Sequence, residues 1–363
     1  LSLVSTPSYN PNNFVLGISQ SNWNALLNDE RKPLLNKATS GAYPPGSTFK
    51  MIVAAAALEL GLIGLNDKVF CPGFYELGSR KFHCWLKGGH GKLTLQEAIQ
   101  KSCDVYFYEL ARKVGIKRIG DMARILGLGQ SYNLPLTGLS KGFVPTKKWK
   151  KERFGTSWLV GDTLNVGIGQ GFSLATPLQL AVMTARLASG KNITPNLIRS
   201  PNKDPEEPKD LSIRKSTLVS IRKGMFDVLN DKDGTAYKSR STNENFSIAG
   251  KTGTSQVRRI TKEEREEGVI KNEDLPWKMR DHALFTCFAP YKNPKYALSV
   301  VVEHGGSGSK VAAPIARDII LFQLYGGIPP ATAYPEKQQI EVGNKLSDIA
   351  RKINLRTNVS SDI

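Results

Sequence analysis

Apolar and polar residues along this chain fall into two textures. Residues 49–61 form an apolar, alanine-rich run closed by Gly61, which predicts a helix. Residues 93–115 read as a helical region, with Thr94 and Glu97 in capping-box spacing and Gly115 as a stop. Residues 176–190 have Pro177 near the start and Gly190 at the end, and residues 217–230 predict a further helix. Short β-type runs form the other texture. Residues 3–19 alternate around a turn, and residues 245–257, 282–291 and 295–305 also read as strands. Residues 311–327 predict a closing helix, while residues 201–210 and 258–280 are polar and read as loops.

Strands at both ends around a helical block predict an α+β fold, an antiparallel sheet flanked by helices with an inserted helical subdomain. On this reading one domain spans residues 1–333, with residues 1–50 and 245–327 building the sheet and residues 51–244 mostly helical. Residues 334–363 form a polar tail. Within it, residues 342–353 faintly resemble the start of a LysM carbohydrate-binding repeat but are too short for a complete one.

The 363 residues carry 50 Lys+Arg against 32 Asp+Glu, a net charge of +18. Such a surface favours polyanions. The basic residues are scattered, however, and no zinc finger, RNP-like motif or heptad-linked basic helix accompanies them. A solvated lysine-rich surface accounts for the charge, with a nucleic-acid-binding module as its functional rival. No charge-free apolar run reaches 18 residues and no signal peptide is visible. The first residue is leucine, so an excised fragment is expected, with any anchor upstream.

The candidate chemistry begins at "SGAYPPGSTFK" (40–50). Ser47 and Lys50 are three apart at a predicted helix start, so they share a face. A serine hydroxyl needs a base, and a lysine held neutral can supply one. Free N–H groups at the helix mouth suit an oxyanion. Alone, S-x-x-K is a common pattern. Two further stretches change that: Ser102-Cys103-Asp104 in a helical segment, and Lys251-Thr252-Gly253-Thr254 in a predicted strand. S-x-x-K, S-D-N-like and K-T-G elements in this order are the signature of penicillin-binding proteins and class A β-lactamases.

With "CPGFYELG", "CWLKGGHG", "GDTLNVGIGQG" and "FAPYKNPKYALSVVVEHGG", the chain resembles the penicillin-binding protein 2 family, the class B transpeptidases of bacterial cell elongation, over residues 3–327. The resemblance implies the transpeptidase fold shared with serine β-lactamases and a peptidoglycan D,D-transpeptidase activity. Ser47 would be acylated by a D-Ala-D-Ala stem peptide, releasing D-alanine. An amine of a neighbouring stem peptide would then take the acyl group, and β-lactams would trap Ser47. The resemblance makes Lys50 the base, Ser102 a proton relay and Lys251, Thr252 and Thr254 the grip on the donor carboxylate. The N–H groups of Ser47 and Thr254 would form the oxyanion hole. Gly253 leaves room for close backbone approach. Asp104 stands where asparagine is commoner; an ionised carboxylate only accepts hydrogen bonds, and beside Lys50 it favours the ammonium. The resemblance also implies an extracytoplasmic, periplasmic domain of an inner-membrane protein. Its partners would be a SEDS-type glycosyltransferase and the elongation machinery, met through regions outside this chain. "NVGIGQG" (165–171) lacks the features of a phosphate loop and reads as a backbone wall near the cleft.

Cys71, Cys84, His90 and Cys103 form a possible Cys3His set, with gaps of 12, 5 and 12 residues. A structural zinc bracing the second motif is expected. A disulfide or buried free thiols are the alternatives, and His83 competes with His90 as ligand. No cofactor is expected for catalysis. Cys287 reads as core, and His282 and His304 as structural histidines. The rival activities on the same fold are a D,D-carboxypeptidase, a penicillin-sensing receptor and a β-lactamase. A class A β-lactamase would need a deacylating glutamate followed by asparagine four residues on, and Glu152 is followed by Thr156.

Overall fold

The computed structural model describes residues 2–198 and 207–359. The polar segment 201–210 therefore lies largely outside the described residues. Helix α1 (Gln20–Asn28) starts at Ser19, whose hydroxyl accepts the Asn22 N–H. A 3-10 turn, Gly46–Phe49, leads into α2 (Lys50–Glu59). Every residue of α2 from Lys50 to Leu58 is buried. A helix buried on all faces needs protein all round it, and the helices Asp104–Val114, Ile116–Ile125 and Lys215–Asn230 supply it.

Two small antiparallel ribbons follow. In one, β1 (Val69–Cys71) pairs with β4 (Gly91–Leu93); in the other, β2 (Phe74–Leu77) pairs with β3 (Arg80–His83). The capping box at Thr94 and Glu97 is present and opens α3 (Leu95–Gln100). The expected single helical region breaks there. After a reversal at Ser102, α4 (Asp104–Val114) starts afresh, with the Cys103 thiol as its N-cap. The helices α5 (Ile116–Ile125), α6 (Lys147–Phe154), α7 (Val160–Gly167), α8 (Pro177–Ser189) and α9 (Lys215–Asn230) complete the helical part.

The main sheet has the order β5 (Ala249–Ser255), β6 (His282–Ala289), β7 (Tyr296–Val302), all antiparallel. Its middle strand is buried from Ala283 to Ala289, because α8 and the closing helix α11 (Ala313–Tyr325) pack on it. A sheet covered in this way reads as continuous apolar runs.

One expectation fails. Among the described residues, 2–50 add no strand to this sheet. Residues 3–19 instead hold a 3-10 turn, Pro11–Phe14, capped by Asn10. Pro7 and Pro11 lack ladder donors, and asparagine side chains bond their own backbone in preference to a neighbouring strand. The sheet is therefore built from the C-terminal part alone. The N-terminal part is tied to the helical part by backbone bonds, among them a bridge where Tyr43 and Ala175 exchange both N–H···O bonds.

Residues 258–280 are less loop-like than expected. They carry α10 (Lys262–Glu267), anchored by an Arg258–Glu264 ion pair, and two 3-10 turns. Tyr334 is fully buried, and α12 (Gln339–Val359) runs straight through the LysM-like stretch as one helix. No helix among the described residues is long and apolar enough to cross a membrane.

Candidate active site and cysteine cluster

The three motifs converge. Ser47 lies in the turn that enters α2, and Lys50 is the first residue of that helix, its N–H donating to the Ser47 carbonyl. Gly46 has φ +53, and a side chain there would lie 2.7 Å from the Thr254 carbonyl. The turn therefore sits directly against β5. On its other side the Gly46 N–H donates to the Gly169 carbonyl at 2.9 Å, and a Cβ on Gly169 would fall 2.0 Å from the Gly46 carbonyl oxygen. The 165–171 stretch is thus the backbone wall that the sequence suggested. Gly253 leaves the room expected of it, because an added Cβ would meet Thr48 at 3.0 Å and Leu284 at 3.1 Å.

Two lysines with no solvent exposure share one serine. Lys50 Nζ donates to Asp104 Oδ1 at 2.7 Å, to the Ser102 carbonyl at 2.8 Å and to Ser102 Oγ at 3.3 Å. Lys251 Nζ reaches the same Ser102 Oγ at 2.7 Å and the Thr252 carbonyl at 3.1 Å. Burial, aided by the Lys50 charge, holds Lys251 well below the usual lysine range, against the pull of Asp104. Asp104 accepts two separate hydrogen bonds, from Lys50 and, through Oδ2 at 2.9 Å, from the Trp85 N–H. It serves here as an acceptor, the role open to aspartate as well as asparagine.

Ser102 has φ +55, a left-handed conformation that non-glycine residues avoid. Surrounding bonds hold it there. The Trp85 indole N–H donates to the Lys101 and Ser102 carbonyls, both at 3.1 Å. Sequence reading missed Trp85, as well as Thr235, whose hydroxyl bonds Thr252 Oγ1 at 2.9 Å, and Gln170, which donates to the Thr254 carbonyl. No motif marks Thr235, while Gln170 lies inside the NVGIGQG stretch, read from sequence only as a backbone wall. Trp85 had one local signal, its place beside Cys84.

Cys71, Cys84, His90 and Cys103 come together with their ligand atoms all within 4.8 Å of one another. No disulfide joins the cysteines. His90 Nδ1 lies 3.7 Å from Cys71 Sγ and 3.5 Å from Cys84 Sγ. Tetrahedral zinc with Zn–S of about 2.3 Å and Zn–N of about 2.0 Å puts sulfur and nitrogen about 3.5 Å apart, so the donor set fits that ion. The Cys84 thiol is pushed down to about 3, chiefly by a hydrogen bond from Cys103, which shifts upward in turn. A thiolate is the ligand form. His83 is exposed on β3 and stands outside the cluster. Cys287 is fully buried, as expected of core. His282 and His304 are satisfied structurally: the His304 N–H donates to His282 Nδ1, and His304 Nδ1 bonds the Arg280 carbonyl.

A family model described as the penicillin binding protein transpeptidase domain matches residues 1–321. The chain belongs to this family. Among curated relatives, the peptidoglycan D,D-transpeptidase MrdA of Haemophilus influenzae is 38% identical over 98% of this chain and 55% of its own length. The Escherichia coli K12 protein of the same name is 39% identical over 86% of this chain and 50% of its own. The chain thus spans about half the length of these relatives. Among solved structures, penicillin-binding protein 2 of Helicobacter pylori in complex with MreC superposes with a TM-score of 0.78 at 40% identity. That match covers 89% of this chain and 57% of the other. The Pseudomonas aeruginosa penicillin-binding protein 2 complex with WCK 5153 gives 0.77 at 39% identity, covering 92% and 70%. These likenesses bear out the transpeptidase fold. As a member of the family, the chain carries all three signature elements, joined through Ser102 by Lys50 and Lys251.

Proposed function

We propose that this chain is the catalytic domain of a peptidoglycan D,D-transpeptidase. The observation that carries the reading is the Ser102 hydroxyl held between Lys50 and Lys251, beside the turn that presents Ser47 to β5. Ser47 Oγ attacks the carbonyl of the D-Ala-D-Ala bond, and the N–H groups of Ser47 and Thr254 face the developing oxyanion. One such donor is typically worth about 2.7–4 kcal/mol of barrier. To act as base, Lys50 must first give up a proton. Ser102 Oγ lies within hydrogen-bond reach of both amines and connects Lys50 to Lys251. The same hydroxyl then returns a proton to the leaving nitrogen. Thr252 and Thr254 take the donor carboxylate, with Lys251 behind them.

The β-lactamase reading finds no support. Glu152 points to solvent with its side chain 62% exposed and pairs with Lys148. Fluorescent penicillin decides between the readings. A stable acyl-enzyme that disappears in Ser47→Ala supports the transpeptidase; rapid turnover of the label overturns it in favour of the lactamase.

The same proposal extends to the surroundings. The Cys71–Cys84–His90–Cys103 set would hold a structural zinc, which when bound ties the 84–90 loop to the start of α4 and supplies no catalytic chemistry. Stoichiometric metal analysis tests this; an active sample without zinc overturns it. The relatives further support a periplasmic location. Partners would include MreC, seen with the H. pylori protein, and a SEDS-type glycosyltransferase, a class in keeping with the matched peptidoglycan synthase complex.

A further inference from the structure

A cavity of about 340 Å³ opens between α5 and the start of α6, and none of the signature residues lines it. Its floor is apolar: Ile116, Gly120 and Pro145 are buried. Gly120 keeps that floor open inside a helix, where glycine is otherwise disfavoured; an added Cβ would meet Val144 at 3.3 Å and Arg124 at 3.4 Å. The rim is basic. Lys117, Arg124 and Lys147 are exposed there against one acid, Asp121.

The transpeptidase chemistry does not use these charges, and local structure does not call for them. Lys117 and Lys147 stand in the first turns of α5 and α6, where the helix dipole favours acids, and neither first turn holds one. Of the basic residues of α6, Lys150 is buried against Asp162 and Lys148 pairs with Glu152. No ion pair holds Lys147 among the described residues. Asp121 lies 3.0 Å from Lys117 and 3.5 Å from Arg124, but each of these side chains is at least 44% exposed, so the pairs contribute little and part easily.

The geometry points to a docking site for an acidic segment of a partner protein that carries one apolar anchor side chain. The anchor enters the cavity over Ile116 and Pro145. Carboxylates on either side of it meet Lys147 and the Lys117–Arg124 pair, which let go of Asp121. Capture of acidic motifs by clustered cations is a recurring mode of peptide recognition, and the net charge of +18 draws such a segment in. Other occupants suit the site less well. A second copy docking by the same face would bring cations to cations. Single-stranded nucleic acid uses aromatic platforms, and no aromatic side chain lines the cavity. A membrane surface takes apolar side chains that protrude, and here they form a recess.

Fluorescence polarisation with the whole chain tests this. The probe is a fluorescein-labelled peptide of one leucine flanked on each side by two glutamates. It binds saturably, and replacing its leucine by serine, or its glutamates by glutamines, weakens binding about tenfold. Lys117→Gln combined with Lys147→Gln, both exposed positions, weakens the leucine peptide by a similar factor and leaves penicillin labelling of Ser47 unchanged. Gly120→Leu fills the cavity and abolishes the preference for leucine over serine. No saturable binding, equal binding of the leucine and serine peptides, full affinity in the double lysine variant, or loss of penicillin labelling along with peptide binding would each overturn the site. Tighter binding of oligothymidylate or of phosphatidylglycerol vesicles than of the peptide would overturn it too, in favour of a nucleic acid or a membrane.

Discussion

The catalytic centre and the cysteine cluster meet at one segment, residues 102–104, yet they are built on opposite terms. The catalytic centre buries two lysines around a single hydroxyl. Its charges are crowded, and burying charge opposes folding. The cluster sits among short two-stranded ribbons too small to be stable alone, and its four ligands converge from three separate stretches. One region spends stability on chemistry and the other holds it in place. Cys103 belongs to the cluster while its neighbours Ser102 and Asp104 belong to the catalysis. The contrast shows how a left-handed serine is kept in register: the loop that carries Cys84 brings in Trp85, and the Trp85 indole donates to the Lys101 and Ser102 carbonyls at the reversal.

Four changes would break or sharpen this contrast. The largest effect is expected on the chemical side. Lys50→Met should lower the rate of acylation by penicillin on the order of 10³-fold, with the fold retained by circular dichroism, because the activating base is lost. Removing the cluster should cost less in rate and more in structure. Chelation, or Cys84→Ser, should slow acylation by about 10- to 100-fold and lower the melting temperature, as loss of an orienting shell does. If the rate stayed put while stability fell, the two regions would be uncoupled.

The third change addresses the link between them. Trp85→Phe keeps the ring and deletes the indole donor; acylation should fall about fivefold, equivalent to one hydrogen bond of about 1 kcal/mol. The smallest effect concerns pH. Lys251 binds its proton less readily folded than unfolded, so the unfolded chain takes up more protons between the folded value and 10.5. Stability gains a contribution as pH rises through that window and loses it as pH falls. Denaturant midpoints from pH 7 to 10 should show this slope in the parent chain and a shallower one in Lys251→Met.

Much of this was legible before any coordinates. Thr94 and Glu97 announced their capping box, and Pro177 and Gly190 bracketed their helix, because local hydrogen bonding alone decides such ends. The three motifs were readable because each needs particular residues at fixed spacing. Residues 3–19 misled. Their alternation satisfies the strand pattern, but pairing needs a free sheet edge and backbone donors, and Pro7 and Pro11 provide neither. The break at Ser102 was invisible for a related reason. Residues 93–115 have helical periodicity throughout, and only the pull of two distant lysines on one hydroxyl, with Trp85 on the carbonyls, turns the backbone over.

What the sequence by itself offered is therefore the set of candidate groups: Ser47 and Lys50 one turn apart, Ser102 with Asp104, the Lys251 strand, and, apart from these, three cysteines with a histidine. Spacing along a helix or strand is a local property, so these could be read from it. The tertiary structure alone decided how they act on one another. That both lysines converge on Ser102 and that Asp104 faces Lys50 and Trp85 depend on contacts across 19 to 149 positions of chain. Packing of α2, α4 and β5 sets those contacts, and no window of sequence contains them.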